Sequence, residues 1–299
     1  MPKFGSRLPG KPNGILTMQY AVPVLAALFI WWFTTGTIFY LDNLPARTFK
    51  WSMLGATGLL LVALVVLRET ADSNDTTSVY IAFSAGLLAW GWQEISLYLG
   101  FVTGIRKDRC DEGCSGIRHF WHAIEANIWH ESAIIAVAVI IAMLTYGGAN
   151  QIGLWTYGLL WAMNLSARLN VFLGVRNVSE EFVPPHMEFL KSFLNQQPMN
   201  LLFPLSVTLA MTGTFFLMGK VADATTETDL IGFTLLATMM ALALVEHWML
   251  VLPLPFERLW NWSLPKRTKS ATPRFRSDHP VEFATIKSTL TPKTDLPCC

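Results

Sequence analysis

Ionisable side chains lie within several long apolar stretches of this sequence, where their insertion into a membrane is unfavourable. Such a group at the centre of a membrane helix costs about 2.5 to 3.5 kcal/mol, so it needs a partner or a function. The predicted intramembrane polar cluster consists of Glu94, His122, Glu125, His130, Glu131, Arg168, Asn170, Glu246 and His247. We expect Arg168 to lie within about 6 Å of at least one of these glutamates.

Three kinds of chemistry fit the cluster. In the first, Arg168 neutralises glutamates and the histidines form hydrogen bonds within the bundle. In the second, a transition metal is held for oxidative chemistry by His130, Glu94, Glu246 and His247. The Glu-x-x-His pair typical of di-iron bundles is absent, which argues against a metal. In the third, a neutral histidine supplies an axial nitrogen to a tetrapyrrole.

Cysteine and histidine residues also occur together near the middle of the chain. Cys110 and Cys114, followed by His119 and His122, have the residue types of a zinc site. Their spacings of three, four and two intervening residues match no strong zinc pattern, so the sequence favours reduced surface thiols. The second cysteine pair, Cys298 and Cys299, does not form a C-a-a-X box and is assigned no role.

The composition indicates that membrane helices carry these residues. The 299 residues are 52% hydrophobic and only 14% charged, and the mean hydropathy is +0.39. A soluble domain usually contains about 25% charged residues. The net charge of +1 indicates no nucleic-acid partner. The chain has room for about six to eight transmembrane helices and none for a separate soluble catalytic domain.

Apolar stretches predict an all-α integral membrane bundle of about seven transmembrane helices. The predicted spans are 18–40, 51–67, 79–103, 120–145, 151–172, 202–219 and 230–252. The shortest, 51–67, is only just long enough for a hydrocarbon core of about 30 Å. Residues 1–17 are interpreted as an uncleaved N-terminal leader, and the transmembrane domain as residues 18–264.

Two further segments are predicted not to span the membrane. Within 173–200, Met187, Leu190 and Phe193 recur at helical spacing, which predicts an amphipathic helix at the membrane interface. Residues 265–299 are rich in Lys, Arg, Thr, Ser and Pro, which predicts a disordered basic tail. With seven crossings, the excess of Lys and Arg on the C-terminal side predicts the N-terminus outside and the C-terminus inside.

Four stretches of the chain resemble the photosynthetic complex assembly proteins of the PuhE type, also called the photosynthetic complex assembly protein 2 family, from purple and related phototrophic bacteria. They are 91–104 (GWQEISLYLGFVTG), 150–193 (NQIGLWTYGLLWAMNLSARLNVFLGVRNVSEEFVPPHMEFLKSF), 198–208 (PMNLLFPLSVT) and 246–260 (EHWMLVLPLPFERLW). The resemblance extends from about Tyr20 to Leu264 and includes the run RN-x-SEEF-x-PPH. It implies a multi-pass protein of the bacterial photosynthetic, intracytoplasmic inner membrane.

The resemblance also implies a function. It predicts a non-enzymatic assembly factor for the reaction centre and its light-harvesting complex, with bacteriochlorophyll as a transient ligand and no permanent cofactor. The implied partners are reaction-centre or light-harvesting subunits, pigment-synthesis enzymes and membrane lipids. A loop motif is expected to cover, from the cytoplasmic side, a pocket formed by the intramembrane polar cluster. The residues of this motif are Arg176, Asn177, Glu180, Glu181 and His186.

Two other functions are less favoured by the sequence. The alternative is an integral-membrane, metal-dependent oxidase or hydroxylase that acts on a pigment or an isoprenoid lipid. A small-solute transporter is disfavoured, because the ionisable groups are concentrated in one half of the predicted bundle and leave no polar path through the other half.

Overall fold

The computed structural model describes residues 13–110, 114, 116–178, 183–252, 259–260 and 262–263, without the side chains of residues 13–17 and of Pro185. Residues 1–12 of the predicted leader and the whole predicted tail, 265–299, lie outside the described residues.

The described part of the chain is helical and contains no strand, so the all-α prediction is confirmed. Two short 3-10 helices cover Ala46–Thr48 and Pro185–Phe193. The α-helices are α1 (Asn13–Asp42), α2 (Phe49–Thr70), α3 (Thr76–Tyr98), α4 (Gly116–Glu125), α5 (Ile128–Leu144), α6 (Ile152–Leu173), α7 (Leu202–Ala222) and α8 (Glu227–Met249).

Four of these helices, α1, α2, α7 and α8, are long and apolar enough to cross a membrane. A fifth crossing is obtained if α4 and α5 together form one broken span. Helices α3 and α6 have 23 and 22 residues, which is long enough. They do not meet the same apolar criterion, because α3 carries Gln93 and Glu94 and α6 carries Asn164, Arg168 and Asn170. The prediction of seven crossings is therefore not supported.

The predicted span 120–145 is broken near its start. Helix α4 ends at Glu125, α5 begins at Ile128, and the two helices are bent by 56°. The loop after α3 pairs with the backbone at this break. The N–H of Ile105 donates to the carbonyl of Glu125 at 2.9 Å, and the N–H of His130 donates to the carbonyl of Thr103 at 2.8 Å. These bonds satisfy backbone groups that a helix break would otherwise leave without partners.

Gly104 allows this loop to approach the break. A Cβ atom at Gly104 would overlap the carbonyl groups of Glu125 and Ala126, so no other residue fits without a backbone shift. The predicted span 120–145 is consequently not one continuous helix. His122 and Glu125 belong to α4, whereas His130 belongs to α5.

Helix α3 packs against α1, α2, α5, α6 and α8 and is the central helix of the bundle. Its buried residues occur on all sides of the helix. The approach between α3 and α6 is close, because a Cβ on Gly86 would lie 2.6 Å from the carbonyl oxygen of Gly153. Small residues allow membrane helices to pack at short distances.

The start of α3 is capped by Asp75, which lies in the loop after α2. Its carboxylate accepts hydrogen bonds from the hydroxyl of Ser78 at 2.6 Å and from the backbone N–H of Ser78 at 3.0 Å. Both bonds lower the pKa of Asp75 because they stabilise its charged form, and the bond from the hydroxyl has the larger effect. The cap thereby satisfies a backbone donor at the beginning of the helix.

The surface segment 173–200 forms a 3-10 helix over Pro185–Phe193, not the predicted amphipathic α-helix. Met187 has non-helical backbone angles and kinks it. Two consecutive prolines at the start lack N–H donors and disfavour an extended α-helix. The apolar face is nevertheless used, since the side chains of Met187 and Phe193 are buried.

Candidate functional site

Arg168 on α6 is the centre of a hydrogen-bonded network inside the bundle. Its Nη1 atom donates to Oε1 of Glu131 at 2.6 Å, and its Nη2 atom donates to Oδ1 of Asn164 at 2.8 Å. Nη2 also lies 3.2 Å from Nε2 of His130. The side chains of Arg168 and Glu131 are only 14% and 21% exposed. The prediction that Arg168 lies near an intramembrane glutamate is therefore confirmed.

The network extends from Arg168 to α3. Asn164 lies one helical turn before Arg168, so both side chains are on one side of α6. The Nδ2 atom of Asn164 donates to Oε1 of Glu94 at 3.3 Å. One guanidinium group is thereby connected to two carboxylates, directly to Glu131 and through an amide to Glu94.

Gln93, the neighbour of Glu94, forms a second polar contact in the core. Its Nε2 atom donates to the hydroxyl of Tyr157 at 2.8 Å, and that hydroxyl donates to the carbonyl of Ile134 at 3.1 Å. Both side chains are fully buried. Tyr157 is not among the residues predicted from the sequence, because an aromatic residue in an apolar stretch gives no signal of a hydrogen-bond partner.

His247 and Asn170 form a separate group between α6, α7 and α8. The Nδ1–H of His247 donates to the carbonyl of Ala243 at 2.9 Å, and Nε2 lies 3.0 Å from the hydroxyl of Ser166. The amide of Asn170 donates to the hydroxyl of Ser206 at 2.9 Å. The sequence analysis missed both serines, although small hydroxyl residues commonly join membrane helices.

Glu246 lies at a cavity of about 190 Å³ between α1, α3, α6 and α8. Its Oε1 atom accepts a hydrogen bond from the indole N–H of Trp31 at 2.8 Å. Glu94, Asn164 and Trp90 also line the cavity. Two carboxylates and two indole rings thus line one partly open cavity, which suits a polar group attached to an apolar chain.

The size of this cavity limits its occupant. Sites for drug-sized ligands usually have volumes of about 300 to 1,000 Å³. A cavity of about 190 Å³ accommodates water or part of a lipid-like molecule, and it is too small for a tetrapyrrole ring. Arg168, His130 and His247 are not among its described lining residues.

The alternative metal ligands are not assembled in the described structure. Glu94, Glu246, His130 and His247 do not form a group of three or more ligand atoms within 4.8 Å of one another among the described residues. The guanidinium of Arg168 beside His130 also disfavours a cation at that position. Both histidines are buried, at 0% and 1% exposure, so neither offers an open face to a macrocycle.

The remaining members of the predicted cluster lie on α4. Oε2 of Glu125 is 4.0 Å from Nη1 of Arg106, and the Glu125 side chain is half exposed. Nδ1 of His122 lies 3.4 Å from Sγ of Cys110 and 3.5 Å from Sγ of Cys114. The structure therefore divides the predicted cluster into a network around Arg168, a cavity that Glu246 lines together with Glu94, a group around His247 and a group on α4.

Two residues of the loop motif, Asn177 and His186, contact helix ends. The backbone N–H and the side-chain amide of Asn177 donate to the carbonyls of Leu250 and Met249 at the end of α8, at 2.9 and 2.8 Å. Nε2 of His186 donates to the carbonyl of Tyr98 at 2.9 Å. Such bonds satisfy the last carbonyls of a helix.

Of the other three residues of the motif, the structure describes only Arg176. The backbone carbonyl of Arg176 accepts a bond from Gln196 at 3.3 Å, and Glu180 and Glu181 lie outside the described residues. A role of the motif in roofing a pocket stays a prediction.

Comparison with known proteins gives a family and one curated relative. The profile of a family described as "Protein of unknown function (DUF3623)" matches residues 17–271. A protein of Rhodobacter capsulatus, named as an uncharacterized 30.4 kDa protein in the puhA 5′ region, is 36% identical over 245 residues. The aligned part covers 81% of this chain and 89% of that protein. No solved structure matches the chain significantly.

Proposed function

This chain belongs to the DUF3623 family, and from this membership we propose that it is a membrane assembly factor for the photosynthetic reaction centre and its light-harvesting complex. The observation that carries the proposal is the relative in Rhodobacter capsulatus, whose name places it beside a photosynthesis gene. The resemblance of 91–104 and 150–193 to photosynthetic complex assembly proteins supports the same process.

The internal geometry favours contact with protein subunits over transport of pigment. The charged groups around Arg168 are bonded to one another, and the neighbouring cavity is smaller than a tetrapyrrole requires. Bacteriochlorophyll would therefore be handled while it is bound to an assembling subunit, not inside this bundle.

Two apolar grooves lie on the sides of the bundle. One, of about 390 Å³, lies between α6 and α7 and includes Leu205 and Leu209. The other, of about 310 Å³, lies between α2 and α3 and includes Val62 and Ile81. These four side chains are exposed. We propose that a transmembrane helix of a reaction-centre or light-harvesting subunit packs into one of these grooves by close van der Waals contact.

Deletion of the gene should reduce the amount of assembled reaction centre several-fold, because subunits without the assembly factor are degraded before they associate. The measurement is the near-infrared absorbance of isolated membranes, normalised to total membrane protein. Transcript levels of the reaction-centre subunits serve as the control and should not change. A deletion strain with normal reaction-centre absorbance would exclude the proposal.

Photo-crosslinking tests the proposed contact directly. A photoreactive amino acid at Leu205 or at Val62 should form crosslinks to a reaction-centre or light-harvesting subunit in assembling cells. The matched control is the same amino acid at Tyr146, which is 91% exposed in the loop between α5 and α6. Inserted protein that forms no such crosslink from either groove would contradict lateral docking.

We also propose an orientation in the photosynthetic inner membrane, with the N-terminus outside and the C-terminus inside. Basic residues are more numerous at and before the starts of α2 and α7 than at their ends, and cytoplasmic loops are rich in basic residues. Those at or before the starts are Arg47, Lys50, Arg176 and Lys191, and those in the last turns are Arg68 and Lys220.

Reporter fusions on either side of α2 test this orientation. A fluorescent protein fused after Leu44 should fluoresce, because it folds in the cytoplasm, whereas alkaline phosphatase fused after Asn74 should be active outside. Exchange of the two reporters is the control and should abolish both signals. The opposite pattern would reverse the orientation.

A further inference from the structure

We propose that Cys110, Cys114, His119 and His122 bind one zinc ion at the end of the bundle. Cys110 lies in the loop after α3, Cys114 lies shortly before α4, and both histidines lie on α4. This inference is independent of the proposed assembly function, because it depends only on the positions of these four side chains.

The distances between the donor atoms agree with a zinc site. Sγ of Cys110 lies 3.3 Å from Nδ1 of His119 and 3.4 Å from Nδ1 of His122. Sγ of Cys114 lies 3.5 Å from the same atom of His122. Zinc–sulfur bonds of about 2.3 Å and zinc–nitrogen bonds of about 2.0 to 2.1 Å in a tetrahedron place the two donors about 3.6 Å apart. All three distances are close to this value.

The donor atoms of Cys110, Cys114 and His122 also lie within 4.8 Å of one another. His119 precedes His122 by three residues on α4, so both rings project from one side of the helix. His119 is not part of this group, but its Nδ1 atom contacts Sγ of Cys110, so we assign it as the fourth ligand, which a rotation of its side chain would bring to the ion. Three spatially close ligands and an adjacent fourth are sufficient for a closed tetrahedral site.

The surrounding structure holds the donors in position. The backbone N–H of Cys110 donates to the hydroxyl of Ser192 at 2.9 Å. The ring of His119 packs beside the ring of Phe193, with 6.1 Å between their centres. Cys110 also packs against the small apolar cluster that includes Ala123 and Phe193. The 3-10 helix Pro185–Phe193 and α4 therefore support the site from two sides.

The donor types favour zinc over harder metals. Thiolate and imidazole groups suit zinc, whereas magnesium and calcium prefer oxygen ligands. Binding releases the thiol protons of Cys110 and Cys114, and two thiolates neutralise the two charges of the ion. With four protein ligands and no open position, the site is structural, and it would connect the loop after α3 to α4.

Metal analysis of the purified full-length protein tests this inference. The protein, extracted in detergent without chelators, should contain about one zinc ion per chain when its metal content is measured by inductively coupled plasma mass spectrometry. Exchange for Co²⁺ should give the visible absorption of a tetrahedral ion together with a thiolate-to-cobalt charge-transfer band. Protein that contains no metal and gives no such bands on titration with Co²⁺ would overturn the proposal.

Variants identify the ligands. The double variant Cys110→Ser, Cys114→Ser and the single variant His122→Ala should each lower the metal content by at least about tenfold. The control His186→Ala removes an imidazole that contacts a helix end and should leave the content unchanged. Retention of zinc in the double variant would place the metal elsewhere. An unchanged Co²⁺ spectrum in His119→Ala would overturn the assignment of the fourth ligand.

A second measurement uses the wild-type protein, so its result does not depend on whether a variant folds. The sequence contains four cysteines, of which Cys110 and Cys114 should react slowly with a maleimide in the native protein. A zinc chelator should then expose Cys110 and Cys114 to the reagent. Rapid reaction of all four thiols before chelation, or a disulfide between Cys110 and Cys114, would overturn the proposal.

Discussion

Replacement of Arg168 by methionine should lower the free energy of unfolding by about 3 to 5 kcal/mol, which is the range for a buried ion pair that loses one partner. Glu131 would remain mostly buried without its cation, and Asn164 would lose the donor that orients it towards Glu94. The protein is heated in detergent, and the fraction that stays monodisperse is then measured by size-exclusion chromatography with fluorescence detection. The variant should lose its monodisperse peak at a markedly lower temperature.

The matched control is Arg68→Met at the end of α2. Arg68 also pairs with a carboxylate, Asp72 at 3.3 Å, but these side chains are 54% and 73% exposed. Exposed pairs contribute about 0 to 1 kcal/mol, so this variant should behave like the wild type. The double variant Arg168→Met, Glu131→Gln should recover part of the loss, because it removes the buried unpaired charge. Equal stability of Arg168→Met and Arg68→Met would contradict the structural role of the network.

The sequence was sufficient to predict that Arg168 is paired, because an unpaired guanidinium inside a bundle is too unfavourable. It did not identify Glu131 as the partner, since the four candidate glutamates lie on four helices whose contacts depend on tertiary packing. The sequence did contain one indication of the hydrogen-bonded network. Asn164 and Arg168 are separated by four residues, a spacing that places both on one face of a helix and favours a shared network.

The helical class and the approximate positions of most helices followed from apolar runs, but the break between α4 and α5 did not. No proline marks the break. It depends on hydrogen bonds with Thr103 and Ile105, which lie 20 or more residues before their partners His130 and Glu125. Periodicity within a single apolar run carries no information about such distant backbone partners, so 120–145 was interpreted as one helix.

The cysteine and histidine group shows the same limitation in another form. Spacing alone argued against a zinc site at Cys110, Cys114, His119 and His122. The folded chain brings the side chains together because the loop after α3 lies beside α4. Spacing rules describe the common zinc folds, whereas a loop held by another element can present its ligands at unusual intervals.

Substitution of Gly86 by alanine should destabilise the protein by about 1 to 3 kcal/mol, the usual range for overpacking. The added Cβ would lie 2.6 Å from the carbonyl oxygen of Gly153 and 3.2 Å from Cβ of Thr156, so α3 and α6 would have to move apart. The nearest of these atoms belongs to the backbone, and rotation of a side chain cannot relieve the overlap. The change would also disturb the neighbouring contact between Gln93 and Tyr157, which joins the same two helices.

Gly91→Ala on the same helix is the matched control. Within the part of the chain that the structure describes, no atom outside the helix backbone near Gly91 and its chain neighbours lies within 4 Å of a Cβ placed there. Alanine favours a helix over glycine by about 1 kcal/mol, so this variant should be as stable as the wild type or more stable. The two variants carry the same chemical change five residues apart. On heating in detergent, Gly86→Ala should be less stable than the wild type, whereas Gly91→Ala should be equally stable or more stable. If Gly86→Ala is as stable as Gly91→Ala, α3 and α6 do not approach as closely as the structure indicates.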